Sequence, residues 1–190
     1  MNPKKINLLV FSDMHDRVSG PINLGRWFKT EKIDLVLCCG DITSAQTPDQ
    51  ISHIKKALEV IKKFNLPFFT ISGNNEREEA TQYLRQEKVF LEEAKIFGYH
   101  LVGISGWGEI IPSLQSPIDQ NTILITHVPP HLNGKINLDN APLLHLHGHV
   151  HMPYNKKVLG KTTIISVPPL INGQALKITL PNLKTKVLAS

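Results

Sequence analysis

The sequence predicts an α/β sandwich, mixed sheets flanked by helices, and three observations predict it. Nearly continuous apolar runs alternate with segments of helical period through residues 6–86, as strands buried on both faces and their crossover helices do. Beyond residue 88 the texture changes to short β-rich runs with tight joins. Five of the apolar runs end abruptly in Asp, His or Asn, at the carboxyl ends of strands where such sheets collect ligands. The 190 residues read as one domain, 1–190, with no repeat, linker or low-complexity segment.

The elements follow in order. Ile6–Phe11 is the first strand, left through Ser12-Asp13-Met14-His15. Leu24, Trp27 and Phe28 stand at i, i+3, i+4, which predicts a helix from about Pro21 to Glu31. Ile33–Cys39 is the next strand, and strand–helix–strand at this length is a parallel βαβ unit. Thr47-Pro48-Asp49-Gln50 reads as a helix start, with Thr47 as cap, Pro48 in the first helical position and Gln50 closing a capping box. Ile51, Ile54, Leu58 and Ile61 form that helix's buried stripe, with Lys55, Lys56, Lys62 and Lys63 outward. Pro67–Ser72 is the third strand and roughly Arg77–Gln86 the third helix.

Val89–Leu91, Ile96–Phe97 and His100–Ile104 read as antiparallel hairpin strands, followed by a glycine-rich loop carrying Trp107 that is expected to pack. Thr122–Thr126 delivers His127, and Leu143–His147 delivers His149 and His151. Two hairpins close the chain, Val158–Val167 around Gly160-Lys161 and Gln174–Leu188 around Pro181-Asn182. The order predicts a sheet begun in parallel and completed by antiparallel strands.

Composition narrows the function. A hydrophobic share of 41% is that of a globular protein. No apolar run approaches the ~20 residues of a membrane span, and Met1–Lys5 leads into a strand too soon interrupted by Asp13 to be a signal peptide. The expected location is the cytoplasm, without a membrane partner. Cys38 and Cys39 are adjacent, so they face opposite ways along a strand and are read as reduced, buried residues. The formal charge of +5, from 21 Lys and Arg against 16 Asp and Glu, is read as a solvated basic surface without long basic blocks; nucleic acid is not the expected partner. The sequence leaves the oligomeric state open, a homo-oligomer included.

The polar strand ends are Asp13 with His15, Gly40-Asp41, Gly73-Asn74, His127, and Gly148-His149 with His151. Each alone is an ordinary turn or a satisfied histidine, whereas five together describe a metal site. Imidazole with carboxylate suits first-row transition ions rather than an all-oxygen magnesium or calcium site. His53 and His100 are read as ordinary core or surface residues, His145 receives no role, His147 is read as support for a ligand, and the assignment of His131 stays open.

In that order, from Asp13 to His151, the motifs resemble those of the calcineurin-like metallophosphoesterases, small single-domain members in particular. The resemblance implies a metallophosphoesterase-type α/β sandwich and two divalent transition-metal ions, manganese first, with iron, zinc or nickel as alternatives. It implies that one ion takes Asp13, His15 and His151, the other Asn74, His127 and His149, with Asp41 bridging both. It also implies hydrolysis of a small phosphodiester or phosphomonoester by attack of a metal-bridging hydroxide. The chain departs from the pattern at Asn75, where the family commonly has a catalytic His that the following acid, here Glu76, orients. Asn donates a hydrogen bond but releases no proton, removing a contribution of roughly 10²–10⁴-fold. Competing readings are a weakly catalytic or non-catalytic scaffold on the phosphoesterase fold, which Asn75 favours, and a nuclease, which the basic charge favours.

Overall fold

A computed structural model of the protein describes residues 3–106, 115–132 and 141–190; Trp107 and Gly108 of the glycine-rich loop lie outside them. β1 (Ile6–Phe11), β2 (Leu35–Cys38) and β3 (Phe68–Thr70) are parallel neighbours, connected through α1 (Ser19–Thr30) and α2 (Gln50–Lys62), with α3 (Glu78–Gln86) after β3. The last two strands of the chain, Gln174–Leu180 and Lys184–Ala189, pair antiparallel on the other side of β1. The second sheet begins with β4 (Glu93–Ile96) and β5 (Tyr99–Ile104), and continues through β6 (Thr122–Thr126), β7 (Leu144–His147), β8 (Asn155–Leu159) and β9 (Thr162–Ser166). With the closing strands as β10 and β11, the two sheets run β11-β10-β1-β2-β3 and β4-β5-β6-β7-β9-β8.

Two apolar layers hold this together. Leu9 and Phe11 of β1 face the helices, packing with Leu24, Trp27 and Phe28 of α1 and with Ile54, Leu58 and Ile61 of α2. Ile6, Leu8 and Val10 face the second sheet, against Tyr99, Leu101, Ile123, Ile125, Leu144 and Leu146. Because both faces of β1 are covered, its sequence shows no polar alternation. Each fully buried Leu or Phe contributes roughly 1.5–3 kcal/mol of transfer free energy. No helix among the described residues is long and apolar enough to cross a membrane.

Three local expectations are corrected. The N-cap of α2 is Asp49, whose carboxylate accepts the Ser52 amide at 2.9 Å. Thr47 is unavailable because its hydroxyl donates to Asp16, 31 residues away in sequence. Gln50 forms no capping box. Its side-chain amide donates to the carbonyls of Ser44 (2.8 Å) and Asn75 (2.7 Å) and accepts the Arg77 amide (2.8 Å). Val89–Leu91 supplies only an isolated bridge, Phe90 to Thr70. The largest departure is in the second sheet: β4–β5 and β8–β9 are antiparallel, but β5, β6, β7 and β9 are all parallel. Parallel pairing aims the carboxyl ends of β6 and β7 at the same edge as those of β1, β2 and β3.

Alternation along β7 places Leu144 and Leu146 between the sheets and His145 and His147 on the opposite face. Both histidines are buried there. The Thr126 hydroxyl donates to the Val128 carbonyl at 2.6 Å, so it accepts from His145 Nε2 at 2.9 Å and fixes a neutral tautomer. Burial pushes the His145 pKa down to about 3 and that of His147 down to about 4. An unfolded histidine titrates near 6.5. Below that pH the unfolded chain takes up protons that the folded one refuses, so this stability is fully present above pH 6.5 and lost as pH falls toward 3. Urea unfolding of the metal-free protein should therefore weaken from pH 7.5 to pH 5. His145→Leu should shrink that loss by about 2 kcal/mol; an unchanged loss would place the acid sensitivity elsewhere.

Candidate metal centre

The strand ends of both sheets meet at one edge. β1 delivers Asp13 and His15, β2 delivers Asp41, β3 leads to Asn74, β6 to His127, and β7 to His149 and His151. Asp13, Asp41 and His127 form a buried floor, His15 and His149 are half-buried, and Asn74 and His151 stand exposed at the mouth. The side chains fall into two groups. His15 Nε2 and His151 Nε2 are 2.9 Å apart, with Asp13 Oδ1 3.8 Å from the first and 3.3 Å from the second. Asn74 Oδ1 lies 2.8 Å from His127 Nε2 and 2.9 Å from His149 Nδ1, which are themselves 3.2 Å apart. Asp41 Oδ2 reaches both groups, 3.8 Å from His15 Nε2 and 3.4 Å from His127 Nε2. All seven residues singled out in the sequence are brought together.

The backbone is bent to make this convergence. Asp13, His15, Asp41, His149 and His151 all have φ between +47° and +69°, the left-handed region that side chains other than glycine avoid. Strain of order 1–3 kcal/mol per residue persists only where the surroundings enforce it. Here the Asp41 carbonyl accepts the amides of Met14 (2.8 Å) and His15 (3.2 Å), while the Gly40 carbonyl accepts that of Asp13 (3.0 Å). The carbonyls of Ser12 and Asp13 accept from Leu170 (2.7 Å) and Ile171 (3.0 Å) of a short 3₁₀ turn. Two glycines of the motifs are required by close approach. A Cβ on Gly73 would lie 2.0 Å from Asp41 Oδ1, and one on Gly148 1.8 Å from Ser12 Oγ.

The donor set fits cations. Asp13 Oδ1 is buried with no hydrogen-bond partner, a costly state for a carboxylate oxygen unless a cation satisfies it. His127 Nδ1 lies 2.8 Å from the Cys39 carbonyl; donating there leaves the Nε2 lone pair facing the site. Close pairs of imidazole nitrogens likewise suit a shared ion better than one another. Burial works against the ionised form of Asp41, but His127 and the hydrogen bonds from Asn75 outweigh it and hold the carboxyl below its ordinary value. His127 is raised in turn: burial opposes its charge, and Asp41 prevails. Burial, with His127 nearby, lowers His149. Asp13, His15 and His151 form one cluster able to hold a metal, and Asp13, Asp41 and His127 another.

Asn75 lies against Asp41. Its side-chain amide donates to Asp41 Oδ2, its backbone amide to Asp41 Oδ1 at 3.0 Å, and its Oδ1 accepts the Ala45 amide at 3.2 Å. Glu76 does not take the role expected from its place after residue 75. Its Oε2 accepts the amides of Asp41 (3.1 Å) and Gly73 (2.6 Å), and its Oε1 that of Thr43 (3.0 Å). Burial of this carboxylate, with the charge of Asp41 beside it, pushes it up to about 7. It clamps the loops after β2 and β3. Arg77 adds to the clamp through the carbonyls of Ala45 and Thr47, each at 2.8 Å. Sequence reasoning missed this pair, although Glu76 stood inside a motif already singled out. His147, expected to support a ligand, points to the outer face, with its Nδ1 3.4 Å from the Gly148 carbonyl. His131 is exposed.

Two linked clusters of His, Asp and Asn at the strand ends of a two-sheet α/β sandwich define a metallophosphoesterase-type protein. The calcineurin-like phosphoesterase superfamily domain matches residues 6–169, and the chain belongs to that superfamily. Among solved structures, TT1561 of Thermus thermophilus aligns with a TM-score of 0.75 at 13% identity, covering 98% of this chain and 99% of that one. An archaeal phosphodiesterase aligns at 0.61 with 15% identity, over 97% of this chain and 100% of its own. A dimetal phosphatase from Danio rerio aligns at 0.61 with 9% identity, over 97% and 98%. At such identities the likeness is one of fold. No curated protein matches the chain in sequence.

The clamp makes a distinct prediction. Glu76→Gln replaces an oxygen that accepts two backbone amides, or the one that accepts a third, with a donor. A buried amide left facing a donor in place of its acceptor should destabilise the metal-free protein by about 1–3 kcal/mol in urea unfolding. If Glu76 served only to orient residue 75, stability would be unchanged.

Proposed function

We propose that the protein is a binuclear-metal phosphoesterase that hydrolyses small phosphodiesters. The observation that carries this reading is the position of Asp41 Oδ2, within 3.8 Å of a nitrogen from each of the two ligand groups. Two divalent ions held there would act as Lewis acids on the phosphoryl oxygens and lower the pKa of a bound water. The imidazole-rich donor set supports manganese, iron, zinc or nickel as the resident ion. With Asp13 and Asp41 as the only ionised ligands, the loaded site carries net positive charge and favours an anionic phosphoester. The exposure of Asn74 and His151 supports an open mouth that admits a substrate without a closing step.

The chain's own residues have separable tasks. Asp41 ties the two ion positions to one carboxylate, and Asn75 fixes the rotation of that carboxylate through its side-chain amide. The Cys39 carbonyl holds His127 in the tautomer that faces the site. Asn75 can hydrogen-bond a departing oxygen but cannot protonate it, so the reaction depends on leaving groups that depart as anions. Glu76 is turned onto the amides of Asp41, Gly73 and Thr43. This same arrangement favours the second reading, a scaffold with little or no turnover.

Leaving-group dependence separates the two. The manganese-loaded protein should cleave nitrophenyl diesters, with kcat/KM falling steeply as leaving-group pKa rises. Asn75→His should raise turnover of alkyl esters about 10-fold or more relative to nitrophenyl esters. No hydrolysis of either class by the loaded protein would favour the scaffold; a shallow slope unchanged by the substitution would locate proton donation at another residue.

A further inference from the structure

The positive charge is unevenly distributed. Residues 141–190 contain six lysines and no Asp or Glu, so residues 1–140, with 15 Lys and Arg against 16 acids, carry a formal −1 and the surplus lies in β7–β11. The fold concentrates it further. β8 is the outermost strand of one sheet and β11 of the other. Two contacts bring these edges together: Lys156 Nζ donates to the Leu183 carbonyl at 2.8 Å, and the hydroxyls of Tyr154 and Thr185 are 2.7 Å apart. Lys177 and Lys186 are both paired with Glu31. Lys156, Lys157, Lys161 and Lys184 have no acidic partner among the described residues.

The β8 edge is also open. All five of its residues are exposed, and among the described residues its backbone pairs with β9 on one side only. Its other side presents an unpaired row of N–H and C=O groups, a template for another strand. Four of the seven large exposed apolar side chains among the described residues, Met152, Val158, Leu159 and Val187, belong to β8, β11 or the approach to β8.

We propose that the β8 edge is a docking site for an extended acidic segment of a partner protein, which adds to the six-stranded sheet as a seventh strand. Such a segment satisfies all three properties of the flank at once. Its backbone pairs the open edge, its carboxylates neutralise the lysines, and its aliphatic residues cover Val158 on one face and Leu159 on the other. Other occupants satisfy fewer. A second copy paired through β8 in a register centred on Lys156 or Lys157 would set these lysines against one another, and like charges directly opposite are destabilising. A lipid surface provides no partner for edge N–H and C=O groups. Among the described residues of this flank a nucleic acid would find no exposed aromatic ring to stack on, since Tyr154 is half-buried with its hydroxyl occupied. The same lysines that oppose self-pairing select an acidic strand.

The location is adjacent to the metal centre. Asn155 pairs with Ser166, which pairs with His147, so β8 begins two strand spacings, about 10 Å, from the strand that delivers His149 and His151. A docked strand would pass beside the mouth. The proposal rests on the fold and its surface, so it stands or falls independently of phosphoester hydrolysis.

The test is to pan a random peptide display library against the intact protein and synthesise the enriched sequences. Peptides that place an acidic and an aliphatic residue on each face of an extended strand are expected, because Lys156 and Val158 share one face of β8 and Lys157 and Leu159 the other. Their affinity should fall at least 10-fold in the exposed double variant Lys156→Glu/Lys157→Glu, and in Val158→Ser/Leu159→Ser. N-methylation of alternate peptide amides should abolish binding in one register and be tolerated in the other, a signature of strand pairing that simple charge attraction lacks. The proposal is overturned if no acidic peptides are enriched, if binding ignores the lysine variants, or if the two methylation registers behave alike. It is equally overturned if the lysine variants instead abolish self-association or binding to phosphatidylserine vesicles.

Discussion

The structure turns on the carboxylate of Asp41 and the loops that hold it. Its two oxygens are shared among the Asn75 amides and the imidazoles of His127 and His15, and its backbone carbonyl orders the Met14 and His15 amides. The loop after β2 is in turn locked to the loop after β3 by Glu76, and Gly73 leaves room for Asp41 Oδ1 where any side chain would collide. Moving Asp41 would therefore disturb both ligand groups and three strand ends together. That dependence explains why so much strained backbone is concentrated in so few residues. Five of the seven candidate ligands lie at positive φ, and hydrogen bonds between loops hold Asp13, His15 and Asp41 there.

The site also divides by burial. Asp13, Asp41 and His127 are held away from water, where an unsatisfied carboxylate is expensive. His151 and Asn74 remain in contact with it. A floor that needs cations beneath a rim open to solvent is suited to loading metal and exchanging a small anion without rearranging the fold. The fold and the arrangement of strand ends are those of the calcineurin-like phosphoesterase superfamily to which the chain belongs.

Much of this was legible in the sequence. The candidate ligands stand directly after apolar runs, so their placement on strand ends followed from local pattern, and the βαβ units fixed those of the first sheet. What escaped the reading depended on partners distant in the chain. Thr47 looked like a helix cap until Asp16 took its hydroxyl. Glu76 looked like a partner for residue 75 because the amides it accepts come from residues 41, 43 and 73. The parallel pairing of β5, β6, β7 and β9 was missed, and the sheet was expected to be completed by antiparallel strands, because short β-rich runs carry no mark of parallel pairing. The lysines looked dispersed because β8 and β11, with 24 residues between Leu159 and Lys184, only become neighbours through the packing of the two sheets.

Metal content tests the central claim most directly. After loading with manganese and removal of the excess, elemental analysis should give about two ions per chain, as two ligand groups joined by one carboxylate require. Asp41→Asn should weaken both ions, whereas Asp13→Asn should weaken chiefly the one grouped with His15 and His151. One ion or none in the wild-type protein, or equal losses at both positions in the two variants, would contradict the account of Asp41 as the shared ligand.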